Sequence, residues 1–306
     1  MPADAAGQTM ELLVALKAVA PFASLPPEDL ALLVERATPR EYAAGEVILA
    51  RGNTVESIHV VLQGALVEER GGRAWALREP YEVVGGVDAL AGSSTDVEVR
   101  AREATRTLEL ERETLLEVCY DRSDVTNAIA TGVAAMAIAA RLRLGSAAGF
   151  RPTTAAAAEH PPRDLGLAER VEFLRSIPVL RETAMLTLAE VAAESTQVTF
   201  EAGEAVWRTG DPADHLLLIV SGVLDCSAGD GPRFAFGSCE AAGVLDGLAA
   251  LPRWYDATAR TRMVALRARV AGIMDVLEDD PATAVAGLTQ LARATATLVA
   301  AVPAAS

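Results

Sequence analysis

Phe200-Glu201-Ala202-Gly203-Glu204-Ala205-Val206-Trp207-Arg208-Thr209-Gly210-Asp211 sets short apolar runs between glycines, and the chain carries this pattern twice. The counterpart lies 158 residues earlier, as Tyr42-Ala43-Ala44-Gly45-Glu46-Val47-Ile48-Leu49-Ala50-Arg51-Gly52. Working outward, Gly64 and Gly85 have partners in Gly222 and Gly243, so the spacings of 7, 12 and 21 residues recur without a gap. Ala44/Ala202, Glu46/Glu204, Val60/Leu218, Leu66/Leu224, Asp88/Asp246 and Leu90/Leu248 hold the same register. A glycine repeated at fixed spacing marks a backbone geometry that a Cβ would obstruct. The molecule is therefore read as two copies of one turn-rich β unit.

Helical periodicity covers Glu11 to Ala18 and Pro27 to Arg36, with Pro26-Pro27-Glu28-Asp29 as the start signal of the second helix. Short strands follow at Glu46 to Leu49, Ser57 to Leu62, Ala65 to Glu68, Ala74 to Arg78 and along the alternating stretch Val97 to Leu110. Helix returns over Glu111 to Tyr120, and a long alanine-rich helix runs from Val125 to Leu144 after Ser123-Asp124. Residues 145–166, rich in Gly, Ala, Thr and Pro, read as a linker. The order then repeats: helices at Leu167 to Leu174 and Thr183 to Glu194, strands from Gln197 to about Ala271, and a final helix over Ala282 to Val302 after Asp279-Asp280-Pro281. The expected domains are 1–144 and 167–306. Each has roughly eight short strands between glycine turns, as in a closed barrel or jelly roll.

The 306 residues include 42 acidic and 27 basic ones, a net charge of −15. That balance argues against a nucleic-acid surface and against docking on anionic lipid, both of which need clustered positive charge. A small anionic ligand needs only one local positive site. Cys119, Cys226 and Cys239 lack metal-ligand spacing and read as reduced thiols. His59, His160 and His215 are isolated in sequence, so no metal is expected. The N-terminus has no basic n-region, and the apolar run from Ala128 to Ala140 is too short to span a bilayer. A soluble cytoplasmic protein is expected, with no membrane and no nucleic acid as partner.

The quoted stretch, together with Leu217 to Leu224 and its turn glycine, resembles the first β units of cyclic-nucleotide-binding domains. The first copy matches through Tyr42 to Gly52 and Val60-Val61-Leu62-Gln63-Gly64. The resemblance covers about 120 residues per copy. It implies an α+β fold of two cyclic-nucleotide-binding-like β jelly-roll barrels, each flanked by N- and C-terminal helices. In that family a phosphate-binding cassette resembling Phe-Gly-Glu-Leu-Ala-Leu precedes a Pro-Arg-Ala segment. A glutamate accepts from the ribose 2′-hydroxyl, and an arginine forks onto the cyclic phosphate beside the amides of a short helix.

Carried over position by position, the first cassette is Val84-Gly85-Gly86-Val87-Asp88-Ala89-Leu90, with Gly86 at the glutamate position and Thr95 at the arginine position. Arg100 is the nearest substitute cation. The second is Ala242-Gly243-Val244-Leu245-Asp246-Gly247-Leu248, with Val244 replacing the glutamate. Pro252-Arg253 keeps the arginine, although Trp254-Tyr255 read as two added residues that would aim Arg253 elsewhere. Asp88 and Asp246 stand where the family has a small apolar residue; each either caps its own short helix or fills the anion site from within. The candidate ligand residues are thus Gly85, Gly86, Asp88 and Thr95 in one copy and Gly243, Val244, Asp246 and Arg253 in the other. Arg253-Trp254-Tyr255 reads as a cation–π patch or as a loop packed on its own barrel.

No nucleophile–base pair, GxGxxG, Walker or zinc signature appears, so no enzymatic activity and no resident cofactor are expected; a cyclic nucleotide is the ligand the resemblance implies. The resemblance extends to catabolite-activator-type transcription factors and to regulatory subunits of cyclic-AMP-dependent kinase. A helix-turn-helix after the second copy is not expected, and the first 20 residues hold no basic pseudosubstrate segment, so neither output is carried over. Two readings remain: a regulatory scaffold acting through an unidentified protein partner or a second copy on its C-terminal helices, and a small-ligand sensor working mainly through the second copy.

Overall fold

The protein was analysed as a computed structural model that describes residues 2–144, 161 and 163–303. Two N-terminal helices, α1 (Pro2–Ala18) and α2 (Pro27–Arg36), precede the first set of strands. Proline in the first turn of α2, followed by Glu28 and Asp29, supplies its start, and Arg36 complements its C-terminal end. The strands are β1 (Thr38–Tyr42), β2 (Val47–Leu49), β3 (Ser57–Gln63), β4 (Leu66–Arg70), β5 (Arg73–Arg78) and β6 (Val83–Val84). After the short helix α3 (Gly86–Ala91) come β7 (Glu98–Ala101), β8 (Thr105–Glu111), α4 (Arg112–Asp121) and α5 (Ser123–Leu144).

The second copy repeats this as α6 (Leu167–Ser176), α7 (Met185–Glu194), β9 (Thr196–Phe200), β10 (Ala205–Trp207), β11 (His215–Ser221), β12 (Leu224–Ser227), β13 (Arg233–Phe236) and β14 (Ala241–Ala242). It ends with α8 (Val244–Leu248), β15 (Asp256–Ala259), β16 (Met263–Arg269), α9 (Val270–Glu278) and α10 (Pro281–Ala301). Seven of the eight strands start 158 residues after their counterparts. Even the irregularities recur: the register shifts at Val47/Leu49 and Val61/Gln63 return at Ala205/Trp207 and Ile219/Ser221.

Each copy forms two four-stranded antiparallel sheets, which bears out the jelly roll; only the closure of the sheets into a barrel is corrected. The first copy has the orders β1-β8-β3-β6 and β2-β7-β4-β5; the second has β9-β16-β11-β14 and β10-β15-β12-β13. Each sheet has one edge strand of only two or three residues (β6, β2, β14 and β10), too short to carry the hydrogen-bond ladder round the corner. The alternating stretch from Val97 is likewise two strands, one in each sheet. The chain changes sheets against Gly64, where a Cβ would lie 2.6 Å from the Ala104 carbonyl oxygen.

Burial follows from this layering. In β11, Leu217 and Ile219 face the other sheet with Leu224, Cys226 and Met263. The alternate residues Leu216 and Leu218 face the helices, with Leu174, Leu188 and Val191. A strand covered on both faces reads as a continuous apolar run, as Leu216 to Val220 does. Among the described residues, an inter-sheet cluster of the first copy is built on Val61, Leu66, Val84, Val99 and Ala101.

The chain separates into two compact units: Met1–Val133 with Leu288–Ser306, and Ala134–Gly287. These bounds fall inside α5 and α10 rather than at 145–166, and most of that expected linker (145–160 and 162) lies outside the described residues. The end of α10 belongs to the first unit through Arg293 Nε, which donates to the Ala91 carbonyl at 3.0 Å, and Arg70, which donates to the Val302 carbonyl at 3.0 Å. With 22 and 21 residues, α5 and α10 are long and apolar enough by length and composition to cross a membrane, although the uncharged run Ala128 to Ala140 within α5 is not by itself. In α5, 56% of the apolar window is buried inside the protein, against 17% in α10.

Candidate functional site

The two cassettes are built on one backbone. Each opens with a glycine in the left-handed region, Gly85 at φ +76° and Gly243 at φ +83°, which turns the chain from a two-residue strand into the short helix. Downstream, the residue at the family's arginine position is pinned to the β2–β3 or β10–β11 turn by two backbone hydrogen bonds. Gly52 N–H donates to the Thr95 carbonyl at 2.9 Å and Thr95 N–H to the Asn53 carbonyl at 3.1 Å. In the second copy Gly210 N–H donates to the Arg253 carbonyl at 2.8 Å and Arg253 N–H to the Asp211 carbonyl at 2.9 Å. Because β15 keeps the 158-residue offset from β7, Trp254 and Tyr255 insert nothing, and Arg253 points into its cassette. This corrects the expectation that it is aimed elsewhere.

In the second cassette the guanidinium of Arg253 is fully enclosed. Its Nη1 donates to Asp246 Oδ2 at 2.7 Å, with the two side chains 0% and 1% exposed. Nη1 also reaches the Gly243 carbonyl at 3.4 Å, and Nη2 donates to the His215 carbonyl. The guanidinium lies over the Trp207 ring, 4.1 Å from the centroid. Tyr255 packs edge-on to Trp207 at 5.6 Å and accepts from Gly243 N–H at 3.2 Å. Burial, followed by the Asp246 charge, pushes the Tyr255 phenol well above its ordinary range, so it stays neutral. Gly243 is required for more than its φ: a Cβ there would collide with Arg253 Nη1. Val244, half-buried, begins α8 and packs toward the helices of the second core.

The first cassette holds no such pair. Thr95 is buried at the equivalent place, and the half-buried Asp88 interacts with hydroxyls, accepting from Ser93 Oγ at 3.4 Å. Burial raises the Asp88 pKa, while hydrogen bonds from Thr95 and Ser93 oppose the rise. Gly86 is the first residue of α3 and carries no side chain toward a ligand. The volume that Arg253 fills in the second copy is lined here by Leu49 and Val55, whose methyl carbons lie 3.1 Å from a Cβ built on Gly85. Arg100 is no substitute, because it donates to the Gly45 carbonyl at 2.6 Å and pairs with Glu98. The far end of α3 is capped by Arg112, whose Nε donates to the Ala89 carbonyl at 2.8 Å.

Each set of sequence candidates therefore converges: Gly85, Gly86, Asp88 and Thr95 on one cassette, Gly243, Val244, Asp246 and Arg253 on the other. Sequence reasoning missed Trp207, His215 and Tyr255 as the cage around Arg253, placing any cation–π contact within Arg253-Trp254-Tyr255. The available signal was a paired change between the copies, Leu49 and Thr95 becoming Trp207 and Arg253.

The model of the cyclic nucleotide-binding domain matches residues 39–122 and again 197–280, more than half of the chain. The chain belongs to that family. Its two cyclic nucleotide-binding domains are the two copies described above. No curated protein matches the chain. Among solved structures, it is similar to a mutant regulatory subunit of a cAMP-independent protein kinase A from Trypanosoma brucei bound to cAMP in the A site. The identity is 18% over 89% of this chain and 90% of that one, with a TM-score of 0.36. The regulatory domain of Toxoplasma gondii PKA with cAMP aligns at 17% over 90% and 97%, TM-score 0.36. The sensor domain of the transcriptional regulator DNR from Pseudomonas aeruginosa aligns at 20% over 41% and 87%, TM-score 0.38.

Proposed function

We propose that this is a non-catalytic regulatory or scaffolding protein of the cytoplasm whose two cyclic nucleotide-binding domains keep the fold and fill their own cassettes. The observation that carries this reading is the enclosed Asp246–Arg253 pair: the carboxylate occupies the guanidinium that would meet a cyclic phosphate. A nucleotide would have to displace Asp246. Separating a buried pair costs about 3–5 kcal/mol, or roughly two to three and a half orders of magnitude in affinity. Neither Gly86 nor Val244 offers a carboxylate to a ribose hydroxyl, and the first cassette has Thr95 in place of a cation. Regulation then works through a protein partner, with the lightly covered α10 as the candidate surface.

The second reading, a sensor working through the second domain, is favoured by Arg253 standing in the family's position. Calorimetric titration with cyclic AMP, cyclic GMP and cyclic dinucleotides separates the two. Internal occupation expects no binding to the intact chain and measurable binding to Asp246→Ala. Micromolar binding to the intact chain that disappears in Arg253→Ala sinks the scaffold reading.

A further inference from the structure

Although α5 and α10 stand at the same place in the two copies, they are held by different means. More than half of the apolar window of α5 is buried, whereas α10 buries Leu288, Ala292 and Thr295 along one face. Two of those three side chains are small or polar, so apolar burial contributes little to keeping α10 in place. The Thr295 hydroxyl donates to the Leu291 carbonyl of its own helix at 2.8 Å. Uncovering that face therefore leaves no unpaired hydroxyl behind.

Polar clamps fix the two ends of α10 instead. At its start, Asp280 accepts from Thr283 N–H at 3.0 Å and from the Thr187 hydroxyl of α7 at 2.6 Å. At its finish, Arg70 Nη1 donates to the Val302 carbonyl at 3.0 Å and reaches the Val299 carbonyl at 3.4 Å. The guanidinium is aimed there by Asp96, which accepts from Nη2 at 3.1 Å, and by the Trp75 ring, whose centroid is 3.8 Å from Cζ. A cation at this end satisfies late carbonyls and meets the negative end of the helix dipole. Arg293 adds a tie to the cassette helix α3 through the Ala91 carbonyl. The counterparts of Arg70, Trp75 and Asp96, 158 residues on, are Ala228, Arg233 and Trp254, so the same clamp cannot form in the second copy.

We propose that the C-terminal half of α10 is a releasable strap. The Arg70–Asp96 clamp holds it on the first unit, and opening the clamp frees the helix from Leu288 onward while its start stays anchored at Asp280. The proposal rests on the reading of α10 as the regulatory surface: release uncovers the face of Leu288, Ala292 and Thr295 for a partner, and the docked state masks it. Asp96 is half-exposed, so the clamp lies where solvent and a competing group reach it. A segment with few buried apolar side chains is also where local opening is expected first.

The experiment is hydrogen exchange of the full chain, read over residues 291–302. Arg70→Gln is expected to speed exchange there at least about tenfold, while β3 and β8 keep their protection and the unfolding midpoint is unchanged. The thiol introduced by Thr295→Cys is expected to react with a maleimide at least about tenfold faster in the Arg70→Gln background than without it. If Arg70→Gln does not fold, Asp96→Asn carries both measurements, with about threefold or more expected. Unchanged exchange or unchanged labelling in the folded variant overturns the proposal. Loosening of β3 and β8 in step with α10 overturns it as well, because the helix is then part of the core. Cyclic AMP that speeds the same exchange in the intact chain overturns the scaffold reading and leaves the strap in place, so the two failures are distinguishable.

Discussion

The two cassettes share a backbone and differ in one charge. Thr95 and Arg253 are pinned by the same pair of backbone hydrogen bonds, Asp88 and Asp246 occupy the same turn of their helices, and Gly85 and Gly243 have the same left-handed φ. Yet Asp246 closes on a guanidinium inside an aromatic cage, while Asp88 interacts with two hydroxyls in a half-exposed site. The lesson is that the turn geometry does not depend on what the cassette holds. A buried cation is tolerated when a carboxylate, carbonyls and a ring surround it, and an aliphatic filling serves when it is absent.

The largest expected effect breaks the second cassette alone. Asp246→Ala leaves Arg253 enclosed without its counter-charge and should destabilise the chain by about 3–5 kcal/mol in urea unfolding. Replacing both partners by apolar residues, Asp246→Leu with Arg253→Met, should recover most of that loss. A cost below about 1 kcal/mol for the single change would show that the pair is solvated in solution.

Next in size is an acid response confined to the first copy. His59 is buried between Ser57 (3.2 Å) and Thr107 (3.3 Å), and burial pushes its pKa down to about 4. Its equivalent 158 residues on is the apolar Leu217. The folded chain keeps His59 neutral, whereas the unfolded chain protonates it near pH 6.5. Its share of stability is therefore present above pH 6.5 and is lost as the pH falls toward 4, by roughly 3 kcal/mol in all. His59→Gln should flatten that slope in hydrogen exchange of the first unit. A slope that survives the substitution would assign the acid response to other groups.

Smaller still is the contrast between the turn glycines. Gly243→Ala should cost about 2 kcal/mol or more, because its Cβ strikes Arg253 as well as forcing a positive φ. Gly85→Ala meets the Ser57 carbonyl oxygen at 3.0 Å and two aliphatic carbons at 3.1 Å, and about 1–2 kcal/mol is expected. Equal unfolding midpoints for the two variants would remove Arg253 as the cause.

The smallest effect carries the sharpest sign. Burial raises the Asp88 pKa, so its ionised form is disfavoured by folding, and this penalty is in place once the pH has risen past the folded value. Asp88→Asn should therefore be neutral or stabilising at pH 7, by no more than about 0.5 kcal/mol after solvent screening. The same change at Asp246 should destabilise. Two variants moving in the same direction would mean that the cassettes are not different in kind.

Much of this arrangement was legible before the coordinates. The repeat, the turn glycines and the paired aspartates are local or periodic features, and periodicity survives in a single sequence. The apparent two-residue insertion at Trp254-Tyr255 misled because an aromatic pair in a loop looks like added length. In the structure both rings pack inward, with Tyr255 2% exposed, and the offset is unbroken. Closure of the sheets was equally out of reach, since whether a ladder continues round a corner depends on edge strands two or three residues long.

The sequence by itself determined that the fold occurs twice, that its glycine turns were kept, and that Gly86 and Val244 present no carboxylate to a ribose. Those facts concern which residue stands at which step of a repeating backbone. Only the tertiary structure decided that Arg253 meets Asp246, Trp207 and the His215 carbonyl, and that Arg70 from β4 meets the end of α10. Apart from Asp246, which is seven positions from Arg253, these residues lie far apart in the chain, and their contacts exist because packing removes water from between them; spacing alone carries no record of that.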